Sequence, residues 1–360
     1  MTIVAHTYPF VVGVDTHART HTFAILVAAT GEPIATEQFP ATAAGMDRAI
    51  AWAARRTDGD LATLWVIEGI GTYGARLAAA VSQAGYEVVE AARMDARAHR
   101  GTGKSDPMDA RRIAAAVLSL ELHKLRRPRC DDGVRAALQV LVTAREHMTT
   151  ERTATINALI ALLRVVDLGI DARKPLTARQ VGEVARWRRR GEDLATATAR
   201  DEAVRLARRV VDLDEEIAAN QARITALIRD SKAAVLLEKI GIGPVTVAVV
   251  YAAWSHSRRV RSEAAFATLA GVSPIPASSG NTTRHRLNRG GDRRLNRALH
   301  MAVVTRMTHD PETRAYVERR RAEGLTTKEI RRCLKRYLAR QLYRSLESLH
   351  AEPDRDPATA

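Results

Sequence analysis

FVVGVDTHARTHTFAILVAATGEPIATEQF, residues 10–39, is the stretch that decides the fold of the front of this 360-residue chain. Phe10 to Asp15 is an apolar run, Thr16 to Arg19 a polar turn and Thr20 to Ala28 a second run; a Gly31-Glu-Pro33 turn then leads into Ile34 to Phe39. Short apolar runs punctuated by turn residues predict strands, here three in succession, forming a meander. Working outward, Ala41 to Arg56 predicts a helix, Leu64 to Glu68 a fully buried strand, Tyr73 to Ala84 a helix and Tyr86 to Glu90 another strand. Gly101 to Lys104 reads as a loop. Ser105 can cap a helix that has Pro107 in its first turn and Asp106 and Asp109 on one side.

A strand meander followed by alternating helix and strand is the order of an RNase H-like α/β domain. In that order Asp15 and Glu68 each end a strand, and Asp106 and Asp109 open a helix. Two strand ends and one helix turn can converge on a point. Carboxylates packed together repel one another unless a divalent cation lies between them. Two such ions can activate an attacking oxygen and stabilise a leaving one at phosphorus. Mg2+ (or Mn2+) suits an all-carboxylate set better than a softer metal does. Asp15, Glu68, Asp106 and Asp109 are therefore the candidate metal ligands and catalytic residues of phosphodiester chemistry. Singly, an aspartate at a strand end is a turn residue and one on a helix is solvated; the ordered combination carries the reading. His17 and His21 read as surface residues of the adjoining turn rather than ligands.

The formal net charge is +15, unevenly spread: residues 1–124 hold 12 basic against 13 acidic side chains, residues 125–232 hold 21 against 16, and residues 233–360 hold 23 against 12. A basic last third suits a polyanion, because each neutralised phosphate releases condensed counterions. Arginine outnumbers lysine 49 to 7, which a GC-rich genome also produces, so the regional bias carries the argument rather than the arginine content. Cys130 and Cys333 are the only cysteines, too few for a disulfide framework or a zinc site. The longest apolar stretch, Val245 to Trp254, is too short to span a membrane, and Met1 to Phe10 lacks a secretory pattern. A cytoplasmic protein with no membrane partner is the expectation.

After Pro128 the pattern is almost wholly helical: Asp131 to Leu168 as one helix or two, Thr177 to Arg190, and, separated from it by Gly191, a third block that runs to Lys232. In that block Ala203, Leu206, Val210, Leu213, Ile217, Asn220, Ile224 and Leu227 recur at three- and four-residue steps, a coiled-coil seam with a polar Asn220 of the kind that fixes register. Self-association through this seam and packing against a neighbouring helix of the same chain both fit. Leu236 to Ala248 reads as a short helix, a Gly-Ile-Gly-Pro hairpin and a second helix, resembling a helix-hairpin-helix whose amides grip a phosphate. Lys239, Gly241 and Gly243 would make that contact. Downstream, Ser278-Ser279-Gly280 precedes a basic tract whose Arg284, Arg286, Arg289, Arg293, Arg294 and Arg297 could clamp phosphate beside a nucleophilic hydroxyl. The expected architecture is α/β plus all-α, with boundaries at 8–125, 126–232 (helical, for assembly), 233–350 (mainly helical) and a frayed tail at 351–360.

Val-Gly-Val-Asp15, Val-Ile-Glu68-Gly, Lys104-Ser-Asp106-Pro-Met-Asp109-Ala, Gly-Ile-Gly-Pro244 and Pro276-Ala-Ser-Ser279-Gly280, with the downstream arginines and Gly-Asp-Arg, together resemble the DEDD transposases of bacterial insertion sequences. The N-terminal domain of that family is similar to the Holliday-junction resolvase RuvC, and its C-terminal domain carries a catalytic serine. The resemblance implies that the four carboxylates bind magnesium and that Ser279, or its neighbour Ser278, forms a phosphoserine link to DNA; Ser279 is preferred because the motif reads serine then glycine. It also implies a homo-oligomer, dimer or tetramer, whose subunits share composite sites, acting on donor and target DNA under a structured guide (bridge) RNA. A junction-resolving, structure-specific nuclease would need the carboxylates without the serine, and a non-catalytic nucleic-acid-binding protein would need neither.

Overall fold

The computed structural model describes residues 2–91, 105–128, 133–256, 259–277, 285–286, 288 and 290–350. The loop expected at Gly101 to Lys104 and the tail at 351–360 lie outside the described residues. The chain forms two compact units, Met1–Arg129 and Cys130–Ala360.

In the first unit a short helix α1 (Val4–Thr7) leads into β1 (Phe10–Thr16), β2 (Thr20–Val27) and β3 (Pro33–Pro40). There follow α2 (Ala43–Arg56), β4 (Leu64–Ile67), α3 (Ala75–Gln83), β5 (Glu87–Glu90) and α4 (Asp106–Leu118). The sheet order is β3-β2-β1-β4-β5, with β1 antiparallel to β2 and parallel to β4. Side chains alternate across this sheet. Val12, Val14, Trp65 and Ile67 enter the core shared with α2 and α3, whereas Val11, Leu64 and Val66 pack with Ile113, Ala114 and Val117 of α4. By the same alternation Asp15, two residues beyond Gly13, belongs to the α4 face, and Glu68 continues the face of Leu64 and Val66. Gly13 sets the spacing. A Cβ there would lie 2.2 Å from the Ala110 carbonyl oxygen and 2.5 Å from the Ala114 nitrogen, so the helix backbone rests directly on the strand.

The second unit comprises α5 (Val134–Val165), α6 (Ala178–Val184), α7 (Leu194–Arg229), a 3-10 helix (Lys232–Glu238), α8 (Pro244–Trp254) and α9 (Glu263–Leu269). The two-residue strands β6 (Ile275–Pro276) and β7 (His285–Arg286) follow, then α10 (Arg293–His309), α11 (Pro311–Ala322) and α12 (Thr327–His350). The stretch Asp131 to Leu168 thus holds one long helix. α5 and α7 pack along each other, and the α7 seam (Ala203, Leu206, Val210, Leu213, Asn220 and Ile224) is buried within the chain. Asn220 donates through Nδ2 to the Leu141 carbonyl of α5 at 3.1 Å, so its polar group sets the register of this intramolecular pair. One end of the pair shares a core with α8, α10 and α12, and the other end packs with α6.

Two expected elements differ. The helix expected over Thr177 to Arg190 is only Ala178–Val184, opened by a Thr177–Gln180 capping box. Beyond its end Trp187 lies under the Arg200 guanidinium, 4.9 Å from ring centroid to cation, and Arg189 reaches Asp201 at 2.6 Å, so this stretch packs on α7 instead of continuing the helix. The element before Gly-Ile-Gly-Pro is a 3-10 helix, while α8 is buried continuously from Val247 to Trp254 at the centre of the C-terminal core. Among the described residues, no helix is long and apolar enough to cross a membrane.

Candidate active site

At the open end of β1, Asp15 is only 6% exposed, and its neighbours are the histidine two residues on and the first turn of α4. His17 Nε2 lies 3.2 Å from Asp15 Oδ2 and 3.7 Å from Asp106 Oδ1. Ligand atoms of Asp15, His17 and Asp106 all fall within 4.8 Å of one another, the spacing a single cation needs. Burial raises the Asp15 carboxyl above the ordinary carboxylate range; the His17 ring opposes this, and the charges of Asp106 and Asp109 add to it. A cation is the species that relieves both burial and crowding. Two carboxylate oxygens with one imidazole nitrogen form a hard, mixed donor set that accepts Mg2+ and suits Mn2+ at least as well. The His17 nitrogen facing both carboxylates can hold a proton against Asp15 or offer its lone pair to a metal. It cannot do both.

The other two carboxylates stand at the same edge but outside that cluster. Glu68 is exposed. Its amide donates to the Val14 carbonyl at 3.0 Å and its carbonyl accepts from the Thr16 hydroxyl at 2.9 Å, so the backbone is fixed beside Asp15. Gly69 follows with φ +59°, and a Cβ at Gly74 would lie 2.7 Å from the Glu68 carbonyl oxygen, which closes the turn tightly. Asp109 pairs with Arg112 at 3.2 Å, one helical turn beyond Asp106. Ser105 occupies the N-cap position of α4 without a side-chain cap bond, its carbonyl accepting from Met108 and Asp109.

His21 departs from the surface-turn reading, whereas His17 is exposed in the turn as expected, its ring at the edge of the acidic cluster. His21 is 2% exposed, paired with Thr16 across β1 and β2, and burial lowers its pKa. His17 faces the acidic cluster. The signal for His17 was present in the pattern: two residues past Asp15 at a strand end is the same side.

In the second unit, Ser278, Ser279, Gly280, Arg284 and Arg289 lie outside the described residues. The chain on either side of them is firmly built. Pro276 pairs with His285 and Ile275 with Arg286. Beneath this pair, a Cβ at Gly271 would stand 2.5 Å from the Gly290 carbonyl and one at Gly291 would stand 2.6 Å from the Leu269 carbonyl, both glycines having positive φ. Asp292 then caps α10 by accepting from the Arg294 and Leu295 amides. The Gly-Gly-Asp sequence thus locks the segment's base.

Arg286 and Arg293 are exposed. Arg294 and Arg297 both reach Glu146 of α5 at 2.7 Å, and Arg294 also donates to Thr143 Oγ1 at 3.0 Å. These contacts hold the Glu146 carboxyl below its usual range, with the Arg297 hydrogen bond the largest cause. In the Gly-Ile-Gly-Pro turn, Gly241 has φ +77° and sits against α10, where a Cβ would be 2.7 Å from the Ala302 carbonyl, while Gly243 has open space around it. Arg306 Nε donates to the Ile240 carbonyl at 2.8 Å, pinning the turn. Lys239 is half-buried. The Gly243 side of the turn is open, and Ile240 beside it is exposed.

Comparison with known proteins places two transposase domains on this chain. A DEDD transposase family model, described as transposase, matches residues 12–166, and one described as transposase of the IS116/IS110/IS902 family matches residues 233–318. An uncharacterised 43.6 kDa protein of insertion element IS110 from Streptomyces coelicolor is 28% identical over 269 residues, covering 63% of this chain and 66% of its own length. An uncharacterised 42 kDa protein of insertion element IS900 from Mycobacterium paratuberculosis is 29% identical over 272 residues, covering 64% and 68%. The aligned region is therefore about two thirds of each relative.

Proposed function

Because this chain carries, in order, both transposase domains of the IS110/IS116/IS902 family, we propose that it cuts and rejoins DNA strands at the ends of an insertion sequence. Asp15, His17 and Asp106, with Asp109 and Glu68 at the same edge, would hold one or two divalent cations. When bound, the metal supplies positive charge that favours an ionised attacking oxygen and a departing one. Ser279 is the proposed nucleophile: its Oγ bonds to phosphorus as a phosphodiester P–O bond breaks, and the DNA hydroxyl of the exchanged strand later displaces the serine. The observation that supports the metal half is the convergence of Asp15, His17 and Asp106 within 4.8 Å. The serine half, the homo-oligomer with shared sites and the structured guide RNA rest on the family resemblance.

The test is covalent trapping. Wild-type protein incubated with element-end DNA and Mn2+ or Mg2+ should give a protein–DNA adduct on denaturing gels. Ser279→Ala should give none, while Ser278→Ala should keep it. Cleaved DNA with free ends and no adduct would identify a junction-type nuclease instead. RNA copurifying with the protein, and lost cleavage after its removal, would test the guide.

A further inference from the structure

One cation cluster of the second unit lacks the acidic partners that its neighbours have. Arg286 of β7 and Arg332, Lys335 and Arg336 of α12 line a cavity of about 440 Å³, closed on another side by the loop from Gly271 to Pro274. Further along α12, Arg340 and Arg344 are both held by Glu263, at 2.7 and 2.9 Å. On α10, Arg294 and Arg297 are held by Glu146. Among the described residues, no carboxylate pairs with any of the four cavity cations. The one acid in the lining, Glu329, caps α12, accepting from the Thr326 amide and hydroxyl at 2.8 and 2.6 Å; it feels the Arg332 charge but forms no ion pair with it.

The cations are instead aimed by neutral groups. Lys335 Nζ donates to Asn296 Oδ1 at 3.0 Å, and Asn296 in turn donates to the Ala270 carbonyl at 2.7 Å. Arg336 Nη1 donates to Ser273 Oγ at 2.7 Å. Burial first, and the Arg332 charge second, pull the Lys335 amine below its ordinary range, so the site is under electrostatic pressure that an anion would remove. Guanidinium forks beside an ammonium are the donor set for phosphate oxygens.

We propose that this cavity is a subsite for a backbone phosphate of DNA, in which Arg286, Arg332 and Lys335 contact the phosphate and Arg336 braces the loop through Ser273. DNA is the strand assigned because β7, which supplies Arg286, pairs with β6, and residues 277–284, including Ser279, join the two. α12 lies beyond the last matched residue, 318, so no matched domain assigns these side chains a role. The assignment rests on the proposed DNA chemistry but can fail separately from it.

The experiment is fluorescence anisotropy of the full chain with a labelled mixed-sequence DNA duplex over a range of salt, comparing wild type with Arg332→Ala/Lys335→Met. The double variant should bind at least about tenfold more weakly on every sequence, and its salt slope should fall by about one, the loss of one phosphate contact. Arg332→Lys should recover part of the loss, and unchanged circular dichroism and melting should show an intact fold. In a Cys130→Ser background, alkylation of Cys333, which lines the cavity, should slow when DNA is bound. An unchanged slope and an unprotected Cys333, in a protein that binds DNA and forms the serine adduct, would overturn the subsite alone. DNA binding with the expected slope change but no adduct would overturn the serine chemistry alone. Equal competition by inorganic phosphate would reduce the cavity to a free-ion site, and protection by RNA but not DNA would reassign the strand; either overturns the DNA assignment.

Discussion

The two units carry charge clusters of opposite sign, built in opposite ways. In the first, carboxylates are pressed together by backbone: β1 and α4 touch at Gly13, and Asp15 and Asp106 have no choice but to be neighbours. In the second, cations are held by long side chains braced on Asn296 and Ser273, around a cavity rather than a point. The difference suits the ligands proposed for each. A bare divalent ion needs oxygen atoms within a fixed small radius, which main-chain packing supplies. A phosphate is larger and tolerates several approaches, which arginine and lysine stems supply.

The largest expected effect separates the two clusters by function. Asp106→Ala should lower strand cleavage by at least about a hundredfold while leaving DNA affinity within a factor of about two, since it removes transition-state charge stabilisation and no phosphate contact. Equal loss of binding and cleavage would break the division of labour. Next, Gly13→Ala tests whether backbone contact sets the acidic site. The added methyl meets the Ala110 carbonyl, and overpacking of this kind costs about 3 kcal/mol, visible as a lowered melting temperature with reduced metal binding. A variant that melts with wild type would show that the helix can move off the strand.

A smaller effect concerns His17. His17→Ala should weaken Mn2+ binding by about tenfold, measured by titration calorimetry, and weaken Mg2+ binding less, because imidazole suits manganese better. Equal losses for both metals would make the ring an orienting group for Asp15 rather than a ligand.

The smallest effect lies in the second unit. Glu146→Gln releases Arg294 and Arg297, and the half-exposed pair is worth about 1 kcal/mol or less after solvent screening. Because the folded carboxyl is held below its usual range, its contribution is complete above the ordinary carboxylate pKa and fades as pH falls through the lowered value. Variant and wild-type melting temperatures should therefore differ at neutral pH and converge in acid. DNA affinity of the variant should rise, since two guanidinium groups lose their acidic partner.

Most of the first unit was legible in residues 10–90 because strand alternation and turn residues are local signals, and every expected strand lies within two residues of its observed bounds. Glu68 and Asp15 come to one edge through parallel pairing of β1 and β4, which the order of elements implies. His17 is exposed in the turn as its position implies, and strand alternation places it on the side of Asp15, but its closeness to Asp106 depended on a helix that begins far along the chain; the burial of His21 depended on the pairing of β1 with β2. The α12 cavity was illegible for a similar reason. A basic helical face looks the same in sequence whether carboxylates from other elements neutralise it, as Glu263 does, or leave it bare. The partner of the α7 seam was left open by periodicity and depended on α5 packing against it.

The glycine contacts at 271 and 291 carry a consequence for protein engineering. With Leu269 to Gly271 fastened to Gly290 to Asp292, and Pro276 paired with His285, the chain flanking the intervening stretch is anchored at two levels. Exchanging residues 277–284 with those of a related element should therefore leave both neighbouring helices in place, measured as an unchanged melting temperature, whereas a cut placed at the glycines would cost the scaffold itself.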